Sequence, residues 1–220
     1  MKHAMYSIAL KACYTGVKVV FILLCLALTG CALPSPPTRP AIYDFGPGPL
    51  STPAAPRLAN LPPLAVADID ANPALDSTAL LYRLAYDNAQ QLKPYALARW
   101  SMTPAQLLRK RLREQLAQRR AQLNPGEGGL VGAGAPLTLR IELEEFSHLF
   151  ETPLKSMGLL RLRATLVQPS PSGEKLVAQR SLITQRPAPS ADAGGGVRAL
   201  TAATDVAVQE LEEWLGQLGR

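Results

Sequence analysis

The most constraining feature of this chain is a stretch in which apolar and polar residues alternate strictly. Leucine or isoleucine occupies positions 137, 139, 141 and 143, and threonine, arginine and glutamate stand between them. A period of two residues is typical of a β-strand with one buried face. The apolar phase shifts by one residue at Glu145, after which aromatic residues and His148 continue it. The sequence therefore predicts a strand over 137–150 with a β-bulge near Glu144 and Glu145.

Further strands are predicted on both sides of this one. Apolar runs at 160–166 and 176–183, separated by turn residues, predict an antiparallel meander together with 137–150. Shorter runs at 64–69, 78–84 and 95–100 predict three strands earlier in the chain. A sheet with one apolar face needs another layer to cover that face.

Two amphipathic helices can supply this layer. Residues 103–106, Thr-Pro-Ala-Gln, have the spacing of a capping box, and leucines at helical spacing then predict a helix over 103–123. A second apolar stripe, opposite acidic residues, predicts a final helix that includes 200–218. The order of elements predicts an α+β domain, a largely antiparallel sheet with two amphipathic helices packed on one face.

The first 31 residues follow a different pattern. Lysines precede an unbroken apolar run from Val19 to Leu28, and Thr29, Gly30 and Cys31 follow it. This order is that of a bacterial lipoprotein signal, in which Cys31 is acylated and becomes the first mature residue. A membrane-spanning helix is disfavoured because it needs about 18 to 20 consecutive apolar residues. We therefore expect a signal peptide over 1–30 and a lipid on Cys31.

The segment after Cys31 is rich in proline. Eight prolines fall between residues 32 and 60, so we expect the lipidated cysteine and a linker over 31–60 and a single domain over 61–220. A leader of this length, extended at about 3.1 Å per residue, reaches roughly 90 Å. Within it, residues 42–45 are either a short strand at the domain edge or an apolar spot in the linker. Ala32, in place of aspartate, predicts retention in the outer membrane, facing the periplasm.

Charge and cysteine content argue against a nucleic-acid-binding protein and against a protein stabilised by disulfide bonds. The formal charge of +6 falls to +3 without the three signal lysines, which is too little for a nucleic-acid footprint. Cys13 and Cys25 leave with the signal and Cys31 carries lipid, so the mature monomer cannot form a disulfide. We expect no nucleic-acid partner and a fold that depends on its hydrophobic core.

Residue patterns that support catalysis are missing from the mature sequence. His148 is the only histidine left, and no ligand-type residues stand at metal-binding spacing around it, so we interpret it as structural. The glycines within 126–134 lack the Gly-Lys-Ser/Thr of a phosphate loop and predict a flexible connection. Glu144 and Glu145 are strand neighbours and cannot converge on one bond. We expect no enzyme activity, no cofactor and no metal.

One surface feature remains on the first predicted helix. At 100° per residue, Arg109, Arg113 and Arg120 fall within an arc of about 40° beside the apolar stripe. Lys110 and Arg111 extend the positive charge round the exposed side. These arginines form either a solvated basic face or a docking surface for a partner, since arginine can bind carboxylates bidentately.

Several segments together resemble the ABC-type transport auxiliary lipoproteins, which accompany MCE-type and paraquat-inducible lipid transport systems in Gram-negative bacteria. The resemblance rests on the Cys31 motif, a proline-rich leader into Tyr43-Asp44-Phe45, Leu81-Tyr82-Arg83 with 95–100, Thr103-Pro104 with Leu107-Leu108, and the strand over 139–150 with Phe146. It implies an α+β domain without catalysis, anchored at the outer membrane as the partner of an MCE-type transporter protein. The segments 126–134 and 187–196 are longer than the family pattern suggests.

The sequence leaves three alternatives open. A lipoprotein that assembles or stabilises an outer-membrane or cell-wall complex, without lipid traffic, is the second functional hypothesis. The aromatic residues Tyr82, Tyr95 and Trp100 either pack the core or contact lipid. Association of the domain into a homo-oligomer is also open.

Overall fold

Our computed structural model describes residues 39–48, 61–126 and 135–219. Nine strands in these ranges share one sheet: β1 (Ala41–Tyr43), β2 (Leu61–Val66), β3 (Asp70–Ala71), β4 (Ala79–Leu84), β5 (Ala89–Trp100), β6 (Arg120–Leu123), β7 (Leu137–Phe150), β8 (Ser156–Ser170) and β9 (Gly173–Pro187). The helices in the same ranges are α1 (Ala85–Asn88), α2 (Pro104–Leu116) and α3 (Ala193–Gln217), with a 3₁₀ turn at Pro73–Leu75.

Strand β7 is the centre of the sheet. On one side β8 pairs with it antiparallel, and β9 pairs antiparallel with β8, which confirms the predicted meander. On the other side β2, β3 and β4 follow one another parallel to β7. Beyond them, β6 pairs parallel with β2, β5 antiparallel with β4, and β1 parallel with β5.

The sheet is therefore mixed, and the prediction of a largely antiparallel sheet is wrong. Residues 64–84 pass along β7 in its own direction, from the level of Leu137 to that of Phe150. The connections from β2 to β3 and from β3 to β4 keep the direction of the chain, whereas a hairpin would reverse it. Alternation within a strand shows which face is buried, but it does not show the direction of the neighbouring strand.

The predicted β-bulge is confirmed. Leu143 pairs with Leu162 and Glu145 with Arg161, so Glu144 is the extra residue of β7. Because of this insertion, Leu143 and Phe146 are both essentially inaccessible to solvent on the same face. The bulge lets the two halves of β7 contribute to one core.

Helix α2 begins as predicted and ends early. The Thr103 hydroxyl accepts a hydrogen bond from the Gln106 backbone, and the Gln106 side chain accepts one from the Thr103 backbone. The helix stops at Leu116, and the predicted continuation to residue 123 is wrong. Arg120–Leu123 instead forms β6, because backbone pairing with the distant strand β2 replaces further helical turns.

Both long helices cover one face of the sheet. Leu112 of α2 and Leu200 and Leu211 of α3 belong to the same buried cluster as Leu143 of β7. The approach of α3 is close, since a Cβ on Gly158 would lie 2.5 Å from the α3 backbone. The predicted pair of helices on one face is thus present, and the missing side chain at Gly158 lets α3 approach β8 closely.

The segment before β2 includes a strand. Ala41–Tyr43 pairs with β5, which decides between the two interpretations of residues 42–45. Phe45 is 9% exposed and packs edge-on against Trp100, with ring centroids 5.6 Å apart. Part of the predicted linker therefore belongs to the compact unit that starts at Pro40.

Candidate functional site

The predicted lipidation residue, Cys31, lies outside the described residues, as do the signal peptide and the glycines after Gly126. Across the described ranges, no helix is long and apolar enough to cross a membrane. In the same ranges, no group of three or more histidine, cysteine, aspartate or glutamate side chains is arranged to hold a metal ion.

The predicted arginine arc is divided by the structure. Arg109 and Arg113 lie on α2, whereas Arg120 lies in β6 and is 3% exposed. The assignment of Arg120 to the helix face is wrong, because the helical phase ends at Leu116. Arg111, expected on the exposed side, is also buried.

The two arginines that remain on the surface of α2 are bonded within the domain. Arg109 Nη1 lies 2.5 Å from Asp68 Oδ1, and Arg109 Nη2 donates to Asn124 Oδ1 at 3.4 Å. Arg113 Nη1 donates to the same Asn124 oxygen at 3.0 Å. These bonds tie α2 to the segments that follow β2 and β6. Both arginine side chains keep part of their surface in solvent.

Arg111 joins three parts of the fold. Its Nη2 donates to the Phe45 carbonyl at 2.6 Å, and its Nε lies 3.2 Å from Asp205 Oδ1 of α3. Its guanidinium also lies 6.0 Å from the centre of the Phe45 ring. Burial raises the pKa of the Asp205 carboxyl, and the Arg111 charge opposes that rise. Arg111 therefore fastens the N-terminal strand segment to both helices, a contact that helical periodicity alone does not reveal.

His148 lies in an aromatic group beneath the start of α3. The Tyr95 hydroxyl is 2.9 Å from His148 Nδ1, and the Phe150 ring centre is 4.4 Å from that of the imidazole. A Cβ on Gly196 of α3 would overlap the imidazole. Burial lowers the pKa of His148 to about 4 and raises that of Tyr95.

Of the aromatic residues that the sequence left open, Trp100 is buried in the core, whereas Tyr82 and Tyr95 are partly buried. Tyr82 and Tyr95 contact each other with ring centres 4.7 Å apart, and Trp100 is 1% exposed. His148 is 0% exposed and neutral at pH 7, as its pKa requires. This group stabilises the fold and offers no exposed catalytic base.

An ion pair that sequence reasoning missed connects β4 to the bulge of β7. Arg83 donates bidentately to Glu145, from Nε at 3.1 Å and from Nη2 at 2.9 Å. Its Nη1 donates to the backbone carbonyls of Ala89 and Gln90. Glu144, the neighbour of Glu145, binds Arg163 instead, at 2.6 Å. The two glutamates therefore have separate partners. The predicted bulge is the sequence signal for this arrangement, because it makes Glu144 the extra residue of the strand.

Solved structures share this fold. Protein XCC0632 from Xanthomonas campestris, of the family DUF330, has a TM-score of 0.60 and 21% identity, over 74% of this chain and 91% of its own. An uncharacterized protein has a TM-score of 0.56 and 13% identity, over 80% of this chain and 99% of its own. Among curated proteins, none matches the sequence at a significant level.

The sequence itself also matches a family model. The match covers residues 43–212, which include the last residue of β1, strands β2 to β9 and most of α3. Since that model describes the ABC-type transport auxiliary lipoprotein component, the chain belongs to this family of auxiliary lipoproteins.

Proposed function

We propose that the protein is a non-enzymatic component of an ABC/MCE-type intermembrane lipid transport system. The observation that carries this proposal is the family match over residues 43–212. The family is one of auxiliary lipoprotein components and is not an enzyme family. The protein then acts by docking onto the periplasmic part of the transporter.

In this proposal, an acylated Cys31 holds the domain at the outer membrane, facing the periplasm. Nine residues, 32–40, separate Cys31 from the first strand at Ala41, which makes ten Cα–Cα steps. At about 3.3 Å per residue they span at most about 33 Å, far less than the roughly 90 Å expected for a linker that reached residue 60. The domain therefore stays close to the membrane, and its partner has to reach it there.

The proposed docking surface is the exposed side of α2, with Lys110, Arg113 and Arg109. Lys110 is exposed and Arg113 half-buried, so a partner carboxylate can reach both. Arg120 no longer belongs to this surface because it is buried in β6. A charge reversal at Arg120 would test folding instead of docking.

Co-purification of the native transporter components tests the docking proposal. The variant Lys110→Glu with Arg113→Glu is compared with a control of equal charge change, Arg161→Glu with Lys175→Glu, on exposed positions of β8 and β9. We expect the wild type and the control to retain an MCE-type protein, and the α2 variant to lose most of it. Retention by all three proteins would refute this surface. Co-purification with a cell-wall or outer-membrane assembly protein alone would favour the assembly hypothesis.

Mass spectrometry of the mature protein tests the anchor separately. We expect an acylated Cys31 at the N-terminus of the wild type. Cys31→Ala removes the thiol that accepts the lipid and is expected to accumulate as the unprocessed precursor. A mature wild-type protein with a free thiol at Cys31, or with residues 1–30 retained, would contradict the proposal.

A further inference from the structure

The turn between β7 and β8 exposes a large apolar side chain. Leu154 is 90% exposed, the most exposed of the large hydrophobic residues in the described part of the chain. The charges on either side of it cancel, because Lys155 Nζ lies 2.6 Å from Glu151 Oε2. The turn therefore presents an apolar side chain in an electrically neutral setting.

Helix α1 leaves the sheet at the same end. Leu84 pairs with Phe150 in parallel register, so residues 85–88 and 151–155 extend beyond the sheet side by side. Helix α1 carries Tyr86, whose side chain is 49% exposed. We call these two segments, 85–88 and 151–155, the sheet tip. The sheet tip thus carries an exposed leucine, a tyrosine and a lysine, which are residues suited to the membrane interface, together with an exposed acid, Asp87.

The apolar character of the sheet tip continues onto the helix-free face of the sheet. Met157 and Leu159 alternate with the buried residues of β8, so they point away from the helices, and both are only partly buried. Leu149 lies beside Met157 on that face. Farther from the tip, the same face carries ion pairs, Arg163 with Glu142 and Arg140 with Glu174. Nearer the tip, Arg83 is level with Leu149 and binds Glu145 on this face, so the part suited to contact an apolar phase is limited to Leu149, Met157 and Leu159.

The N-terminal end of strand β1 faces this tip. Strand β1 runs parallel to β5, and β5 starts at Ala89, directly after α1. Ala41 is level with Ala98, so the tip lies at most about 30 Å from Ala41 along the strand direction. Cys31 precedes Ala41 by ten residues, which can span about 33 Å. A lipid on Cys31 can therefore lie in the same plane as the sheet tip.

We propose that the sheet tip contacts the surface of the membrane that holds the lipid anchor, with Leu154 inserted between headgroups. This inference rests on the proposed acylation of Cys31. A second point of contact fixes the orientation of the domain on the membrane, which one flexible tether does not do. The neutral turn makes the contact depend on apolar insertion more than on anionic lipid.

A site-specific fluorescent probe tests this contact in the full lipidated protein. Leu154→Cys is labelled with an environment-sensitive nitrobenzoxadiazole dye and reconstituted into vesicles of phosphatidylethanolamine and phosphatidylglycerol. In the acylated protein the introduced cysteine is the only free thiol, since Cys31 is blocked and Cys13 and Cys25 are removed with the signal. Leu176→Cys is the matched control, because Leu176 is 59% exposed and lies beside the β8–β9 turn, at the opposite end of the sheet.

We expect lipids with a nitroxide near the headgroup to quench the dye at position 154 severalfold more than the dye at position 176. A blue shift of emission on reconstitution is expected only at position 154. Equal, weak quenching at both positions in acylated protein that floats with the vesicles would overturn the tip contact and leave the anchor intact. A blue shift at position 154 without quenching by lipid would overturn it in favour of a protein contact. Absence of the acyl mass on Cys31 would overturn the anchor proposal and this inference with it.

Discussion

The two sides of strand β7 are built in different ways. On the β8 side, one strand pairs with β7 from Thr138 to Phe150, interrupted only by the bulge. On the other side, three separate strands pair with it over three, two and three residues. The β8 side is held by a long backbone ladder, whereas the segmented side has a short ladder at each of three places.

Side-chain contacts supplement the backbone on the segmented side. Arg83 of β4 binds Glu145 of β7, and Tyr95 of β5 binds His148 of β7. Both contacts are at least partly shielded from water, so they are stronger than the same contacts on an open surface. We therefore expect polar side-chain contacts to contribute more to stability where the backbone ladder is short and divided.

The largest expected effect comes from β7 itself, which both sides share. Leu143 is 0% exposed and lies just before the bulge, so Leu143→Ala leaves a cavity at the centre of the core. We expect a loss of about 2 to 5 kcal/mol in the free energy of unfolding, measured by urea denaturation. Glu142→Ala, on the solvent side of the same strand, is the control and is expected to change it by less than about 0.5 kcal/mol. Similar values for both variants would refute the assigned faces.

The second-largest expected effect is a dependence of stability on pH, caused by His148, which contacts Tyr95 on the segmented side. The pKa of His148 is about 4 in the folded protein against 6.5 in a free histidine, so the unfolded chain binds more protons between these values. The stabilisation is complete above pH 6.5 and is lost as the pH falls toward 4. From pH 7 to pH 5 we expect a loss of about 2 kcal/mol.

The variant His148→Asn isolates this effect, because asparagine does not titrate. Its stability is expected to be lower at pH 7 and to change much less between pH 7 and pH 5. Asp205, whose pKa is raised by burial, contributes with the opposite sign in both proteins and cancels in the comparison. Equal pH dependence in the wild type and the variant would exclude His148 as its source.

The third-largest expected effect is the loss of stability when the ion pair of the segmented side, Arg83 with Glu145, is removed. The Arg83 and Glu145 side chains are 20% and 17% exposed, and their contact is bidentate. Arg83→Met leaves the Glu145 carboxylate without this partner in a poorly solvated place, and we expect a cost of about 1 to 2 kcal/mol. A double-mutant cycle with Glu145→Gln, followed by urea denaturation, measures the coupling between the two residues. A coupling near zero would show that the segmented side does not depend on it.

The same contrast explains how much of the fold could be predicted from the sequence. The β8 side was predictable, including the bulge at Glu144, because alternation and turn residues are local signals. The segmented side was not, since the parallel partners of β7 come from residues 64–84 through non-local pairing. Non-local pairing of β6 with β2 also explains why the predicted helix extended past Leu116. It explains as well why Arg120 was assigned to the helix surface, although it is buried in β6.

The candidate functional residues also include some that a local motif predicts and some that depend on the fold. A short contiguous motif predicts lipidation at Cys31, and it requires no knowledge of the fold. The sheet tip could not be predicted, because it depends on which strands end together at one edge of the domain. Arg111 could not be predicted for the same reason. Helical periodicity predicts that it is exposed, but Phe45, 66 residues away in sequence, covers it.

The smallest expected effect belongs to the ion pair on the β8 side. Arg163 and Glu144 are 44% and 25% exposed and lie on strands that a long ladder, interrupted only at Glu144 itself, already holds together. Solvent screening weakens such a pair, so Arg163→Met is expected to cost less than about 0.5 kcal/mol, and its coupling with Glu144→Gln is expected to be smaller than that of Arg83 with Glu145. Both cycles are measured in the same buffer at low and at moderate salt, and the coupling of Arg163 is expected to decrease more with added salt. Equal coupling energies for the two pairs would contradict the comparison, because the contribution of each pair would then not depend on whether the strands it joins share a long or a short backbone ladder.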